Sequence, residues 1–137
     1  MSRAFGSLSL SFRITMQECS VSDHELLHGI SLFNSAKFFD AHEVLEDVWR
    51  AAPPDHKKFC QGLVQVAVAF HHYSTGNRVG MRSVLERAIR NLREPAGSFE
   101  QFELTPLLQS LTEWRIAMDN NLPAPALPQI QERIAES

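Results

Sequence analysis

Two titratable residues stand where a helix should be apolar. In the run Phe38-Phe39-Asp40-Ala41-His42-Glu43-Val44-Leu45-Glu46-Asp47-Val48-Trp49, a turn of about 100° per residue gathers Phe38, Ala41, Leu45, Val48 and Trp49 into one inward stripe. His42 and Glu46 fall on the flank of that stripe, although the outer face occupied by Asp40 and Asp47 was open to them. Polar groups turned inward call for partners or a task, and three chemistries fit. At i and i+4, one helix can offer His42 and Glu46 as two ligands to zinc or another divalent transition metal. The run lacks the second histidine of an H-E-x-x-H site, so His72 is the candidate third ligand. Without metal, Glu43 or Glu46 can act as a base or a polar grip, with His42 as its partner and Trp49 as the stacking wall of a small-ligand pocket. The third reading is a satisfied internal hydrogen-bond network with no ligand.

A later segment carries a matching anomaly. Gln61, Gln65 and His72 follow one another at four and seven residues, with Val68 between, and draw a polar line down a helix otherwise built for burial. If the two helices are antiparallel neighbours across the short Pro53-Pro54 turn, these groups meet. The expected cluster is therefore His42, Glu43, Glu46, Trp49, Gln61, Gln65 and His72, walled by Phe38 and Phe39. His71 lies about 100° off the His72 line and reads as a rim residue. His24 and His28, one turn apart, read as an exposed pair. Ser35 and Cys60 are off the polar line, so no nucleophilic triad is drawn. Gly76-Asn77-Arg78-Val79-Gly80 has no lysine and follows a helix, which rules out a phosphate loop.

These residues need a scaffold, and the chain predicts an all-α one. Ser22 and Glu25 form a capping box that opens a first helix over residues 22–33. A second helix is expected over 35–51, with Asn34 read as its cap, and it stops at Pro53-Pro54. Asp55 is read as the cap of a third helix at about 56–74, which is apolar on most sides and expected to be the central, buried element. Gly76 and Asn77 then make a turn. A fourth helix covers 78–93, with Glu86 and Arg90 as an i,i+4 pair, and a fifth begins at Thr105 with Pro106 in its first turn. Residues 94–98 are a turn-rich connection between them. The tail, with Pro123, Pro125 and Pro128, reads as extended linker, closing with a short helix over 129–135. The outcome is a compact single-domain bundle of about five helices spanning 21–120, preceded by a poorly ordered extension (1–20) and followed by the proline-rich tail (121–137). Met16 is a second candidate start of translation.

Composition narrows the partners. Thirteen basic and 16 acidic residues give a net charge of −3, spread along the chain, which favours neither nucleic acid nor a membrane surface. No run approaches the roughly 20 apolar residues a spanning helix needs. The first 20 residues lack the continuous apolar core of a secretory signal. Cys19 and Cys60 form no C-x-x-C pair, so a reducing, cytoplasmic setting is expected.

Phe33-Asn34, Phe38-Phe39, Ala41-His42-Glu43, Glu46 and Trp49, followed by Phe59, Gln61-Gly62, Gln65, Ala67, His72 and Gly76-Asn77, closely resemble domain-of-unknown-function family 309. Its pattern is similar to F-N-x-x-x-F-[FY]-x-x-H-E-x-x-E-x-x-W followed by a Q-G-L-[IV]-Q helix. The resemblance covers about residues 26–92. It implies a compact helical bundle in which the residues above are the family's own signature, and it implies no activity. A second likeness is narrower: Gly29, Phe38, Ala41, Leu45, Val48 and Pro53 keep the offsets of a tetratricopeptide repeat, whose paired helices line a peptide-binding groove. Only one such unit is legible. The sequence thus points to a helical domain with a polar, aromatic-walled site between its second and third helices that binds a small ligand or a metal ion. The alternatives are a peptide- or protein-binding helical module and a purely structural polar network.

Overall fold

Three of the helices end in the same way, and those endings set the architecture. In a computed structural model describing residues 13–93 and 102–132, the order is α1 (Arg13–Asn34), α2 (Phe38–Ala51), a 3-10 turn (Pro54–His56), α3 (Lys57–Ser74), α4 (Arg78–Arg93) and α5 (Leu104–Asn120). After α1, α3 and α5 one residue takes a left-handed conformation: Ala36 (φ 64°), Gly76 (φ 85°) and Asn121 (φ 56°). The next N–H then reaches back to the last turn, Lys37 to Leu32 O at 2.9 Å, Asn77 to His72 O at 2.8 Å and Leu122 to Ala117 O at 2.9 Å. Each is the 6→1 bond that closes a helix and reverses the chain.

Glycine takes this conformation freely, whereas alanine pays for its Cβ. Ala36→Gly is therefore expected to stabilise the fold by about 0.5–1 kcal/mol, and Gly76→Ala to destabilise it by a similar amount, in urea unfolding curves. A Cβ at Gly76 would meet nothing within 4 Å, so that cost is purely conformational.

The all-α expectation holds: among the described residues the one extended pairing is the isolated antiparallel bridge between Phe102 and Glu132. Helices pack chiefly on their chain neighbours, α1 on α2, α2 on α3, α3 on α4 and α4 on α5. α3 is flanked on two sides and is the most buried element, with Phe59, Leu63, Val66, Ala67, Ala69 and Phe70 fully enclosed. Phe33, Phe38, Phe70 and Trp114 join in an aromatic cluster with ring centroids 5.0–6.1 Å apart, pinning the first hairpin to α5.

Several boundaries differ from the sequence reading. α1 is already helical at Arg13, so Ser22 and Glu25 lie within the helix and do not open it; of the expected N-terminal extension, residues 1–12 lie outside the described residues. α2 starts at Phe38, after Lys37, because Asn34 is the last residue of α1 and Ala36 makes the corner. Asp55 sits inside the 3-10 turn, and α3 is preceded by His56 with no side-chain cap. The turn-rich segment 94–98 lies outside the described residues. So do residues 133–135 of the short terminal helix expected over 129–135; its described part, 129–132, is not helical.

The described part of the proline-rich tail, residues 122–132, contains no helix and is docked rather than free. The Trp114 Nε1–H donates to the Ala126 carbonyl at 2.9 Å, the Glu103 N–H donates to the Gln131 carbonyl at 2.8 Å, and Ile130 is 2% exposed.

Candidate functional site

The flank of α2 that carries His42 and Glu46 faces α3. The opposite flank faces α1, where Gly29 lies against Val44 and Leu45. Along the α2–α3 seam, His42 Nε2 stands 3.5 Å from Glu46 Oε1, and Glu46 Oε2 lies 3.3 Å from Arg50. The spacing of one helical turn makes both contacts. Their side chains are 27% and 31% exposed, so the pair is half-buried, as a flank position requires, and keeps contact with solvent. Phe39, one turn earlier, is 51% exposed. Its ring lies 6.0 Å from that of His42 and 5.4 Å from that of His71 on α3. Ala36, Lys37, Phe38, Phe39, Asp40, His71 and Ser74 line a shallow cleft of about 400 Å³ at this end of the seam. At the other end, Lys57 Nζ donates to the Trp49 and Arg50 carbonyls, each at 2.8 Å, and sits 5.7 Å above the Trp49 ring. Lys57 thereby closes the C-terminus of α2, where a cation is favoured.

The expected single network is divided. Gln65 Oε1 accepts from Asn91 Nδ2 on α4 at 2.7 Å, and His72 Nδ1 lies 3.3 Å from Asn77 Nδ2. Both groups therefore turn toward α4, away from His42 and Glu46. Gln61 is half-buried and Glu43 is exposed on the outside of α2. Phe38 is mostly a core residue: it is 7% exposed, packs between Phe33 and Phe70, and reaches the cleft only with its edge. Among the described residues no three His, Cys, Asp or Glu side chains gather to hold a metal, so His72 does not complete a ligand set with His42 and Glu46.

His71, expected at the rim, lines the cleft beside Phe39. The row Cys60, Val64, Ala67, His71, at intervals of four, three and four, is the line of α3 that meets α2; His72 is one position further round. That spacing was available in the sequence, but the more conspicuous Gln61–Gln65–His72 line drew the assignment. Cys60 on the same row is buried and its thiol is pushed up to about 11 by burial, with Lys57 acting weakly in the other direction. It is a packing residue and no nucleophile.

Asn34 and Asn77 both have defined tasks. The Asn77 side chain accepts from the Gly80 N–H at 2.8 Å and caps α4. Asn34 binds the backbone of Ile130.

The α4–α5 seam provides a comparison. There Arg82 and Glu86 form the corresponding i,i+4 pair at 2.8 Å, and α5 completes it with Asp119, hydrogen-bonded to Arg82, and Arg115, 3.6 Å from Glu86. The Arg82 guanidinium holds the Asp119 carboxyl below the usual range, and Asp119 in turn raises the Arg82 pKa. In the α2–α3 seam the ion pairs of Glu46 and Asp47 stay within α2, and the following helix contributes an imidazole beside an exposed phenyl ring.

These features define a bundle of consecutive helical hairpins with a half-buried histidine–glutamate pair on one seam. Residues 26–84, which contain both hairpin corners and that seam, match the family described as "Domain of unknown function (DUF309)", so the family resemblance drawn from the sequence is shown over this region. The chain is similar to the uncharacterized protein YpuF of Bacillus subtilis (strain 168), with 32% identity over 82 residues covering 56% of this chain and 47% of that protein. It is also similar to an uncharacterized protein of Aquifex aeolicus (strain VF5), with 29% identity over 82 residues covering 59% of this chain and 25% of the relative. The chain thus spans less than half the length of these curated relatives. Among the described residues, no helix is long and apolar enough to cross a membrane.

Proposed function

We propose that the α2–α3 seam is a binding site for a small organic ligand, gripped by His42 and Glu46 and stacked on Phe39, with His71 on the far side of that ring. The observation that carries this reading is Phe39, half exposed between two imidazoles and two turns from the Glu46 carboxylate that pairs with His42. An apolar surface beside a few convergent polar groups is what a small-ligand site offers. Trp49 lies further along the same face of α2 and would contribute to its extent. A divalent transition metal is the second reading. It is favoured by the approach of His42 Nε2 to Glu46 Oε1, two donors whose remaining coordination positions water would have to fill.

Glu46→Gln separates these readings from a purely structural role. Because the pair is half exposed, its loss should cost under about 1 kcal/mol, so the melting temperature should stay nearly unchanged. A fragment screen by NMR should show perturbed Phe39, His42 and His71 resonances in the parent chain, and none in Glu46→Gln or His42→Ala. Elemental analysis of the untagged chain, with one equivalent of metal lost in His42→Ala, would establish the metal reading instead. Collapse of the fold in Glu46→Gln, or fragment binding untouched by both substitutions, would overturn the site.

A further inference from the structure

Residues 126–131 cross the end of α1 and the side of α5 through contacts aimed at their backbone. The Asn34 side chain engages both polar groups of Ile130: its Nδ2 donates to the carbonyl and its Oδ1 accepts from the N–H, each at 2.9 Å. The Trp114 indole N–H binds the Ala126 carbonyl and the Glu103 N–H binds the Gln131 carbonyl, beside the Phe102–Glu132 bridge. Side chains alternate as in a strand: Pro128 and Ile130 are buried, whereas Leu127, Gln129 and Gln131 are exposed. Main-chain bonds supplying affinity, with pockets for every second side chain supplying selectivity, is how folded domains take up extended peptides. Residues 121–124, which lead into the segment, are exposed, so the segment is tethered by a stretch that packs on little.

We propose that the groove between Asn34, Phe102 and Trp114 is a recognition site for an extended peptide carrying a Pro-x-Ile (or similar aliphatic) motif, and that residues 126–131 are its intramolecular occupant. The groove reads the peptide backbone through Asn34 and Trp114 and selects the buried proline and aliphatic side chains. This site is distinct from the α2–α3 seam and stands or falls independently of it. Tethering gives the chain's own segment an effective concentration on the order of millimolar, so a partner peptide enters when the segment is weakened.

The test uses the full chain and a fluorescent peptide of residues 123–132, read by anisotropy. The unaltered chain should take up little peptide. Full-length Ile130→Asp, which places a charge in the pocket, should bind the peptide, and should not bind the same peptide with aspartate in place of its isoleucine. Adding Asn34→Ala should weaken binding by about tenfold or more, since two hydrogen bonds are lost. A folded Ile130→Asp chain that ignores the peptide, or one that binds both peptides equally, overturns the proposal. Should Ile130→Asp fail to fold, a protease site placed at residues 122–124 of the otherwise unaltered chain provides the second measurement. After cleavage the tail should stay bound and be displaced by excess peptide in native mass spectrometry; a tail that leaves at once or resists displacement overturns it.

Discussion

Trp114→Ala is expected to lower the unfolding free energy of the protein by about 3–5 kcal/mol. Trp114 is 1% exposed and makes edge contacts with Phe70 at 5.0 Å and Tyr73 at 4.8 Å. Its indole N–H holds the Ala126 carbonyl. Truncation therefore opens a cavity in the aromatic cluster, removes the main attachment of α5 to α3, and leaves a carbonyl of the docked segment without its donor. A domain of this size has about 5–15 kcal/mol of stability in all, so the loss is a large share of the total. Trp114→Phe should recover most of the packing while still lacking the hydrogen bond. Denaturant titration of the two variants separates the terms. A Trp114→Ala midpoint close to that of the parent would mean that α5 contributes little to the core.

The helices were legible because each carries its own evidence: the 3.6-residue stripe of α2 and α4, the apolar run of α3, the proline stop after Ala51. Helix starts were less legible because caps are local preferences that tertiary packing overrides. Ser22 and Glu25 fit a capping box, yet the helix runs through them. Asn34 fits a cap, yet its amide is occupied by Ile130, ninety-six residues away, a contact no local rule can supply. The tail shows the same limit: its prolines speak against a helix, while Ile130 docks only because Asn34 and Trp114 converge where it passes.

The seam was half legible. The moment of α2 placed His42 and Glu46 on its flank, where the structure has them. The error was to treat a flank as an interior. α3 is covered by α2 and α4 but not on its outer side, so groups on the flanks keep water and need no common network. Gln65 and His72 consequently found partners on the α4 side.

A further regularity was present in the chain and went unread. The left-handed corners at Ala36 and Gly76 are forty residues apart, and at that offset Phe38 and Arg78 begin α2 and α4. Ala41, Leu45 and Val48 on α2 and Ala52 just after it correspond to Met81, Leu85, Ala88 and Leu92 on α4, all buried. Val44-Leu45-Glu46 aligns with Val84-Leu85-Glu86. The two hairpins are therefore versions of one unit, and His42–Glu46 occupies the place of Arg82–Glu86. At that place the second hairpin carries a guanidinium and the first an imidazole, and Asp119 closes only the second seam. That difference distinguishes the α2–α3 seam from the α4–α5 seam.

Gly62→Val should damage the helical core. A Cβ at Gly62 would lie 2.7 Å from both Cγ and Cδ2 of Leu92, and Leu92 is fully buried, so α3 and α4 approach more closely there than a side chain allows. Alanine would trade this overlap against its better helix propensity, worth about 1 kcal/mol, and a modest net loss follows. Valine adds two methyl groups and a restricted χ1 without that compensation, and overpacking of this kind costs about 1–3 kcal/mol or more. The close approach predicts a specific coupling. Leu92→Ala alone should cost about 2–5 kcal/mol through its cavity. In the double variant the new valine fills part of that space, so the combined loss should fall below the sum by at least about 0.5 kcal/mol. Chemical denaturation of the four chains measures the coupling, and strict additivity would show that the two residues do not share the contact on which the α3–α4 packing is built.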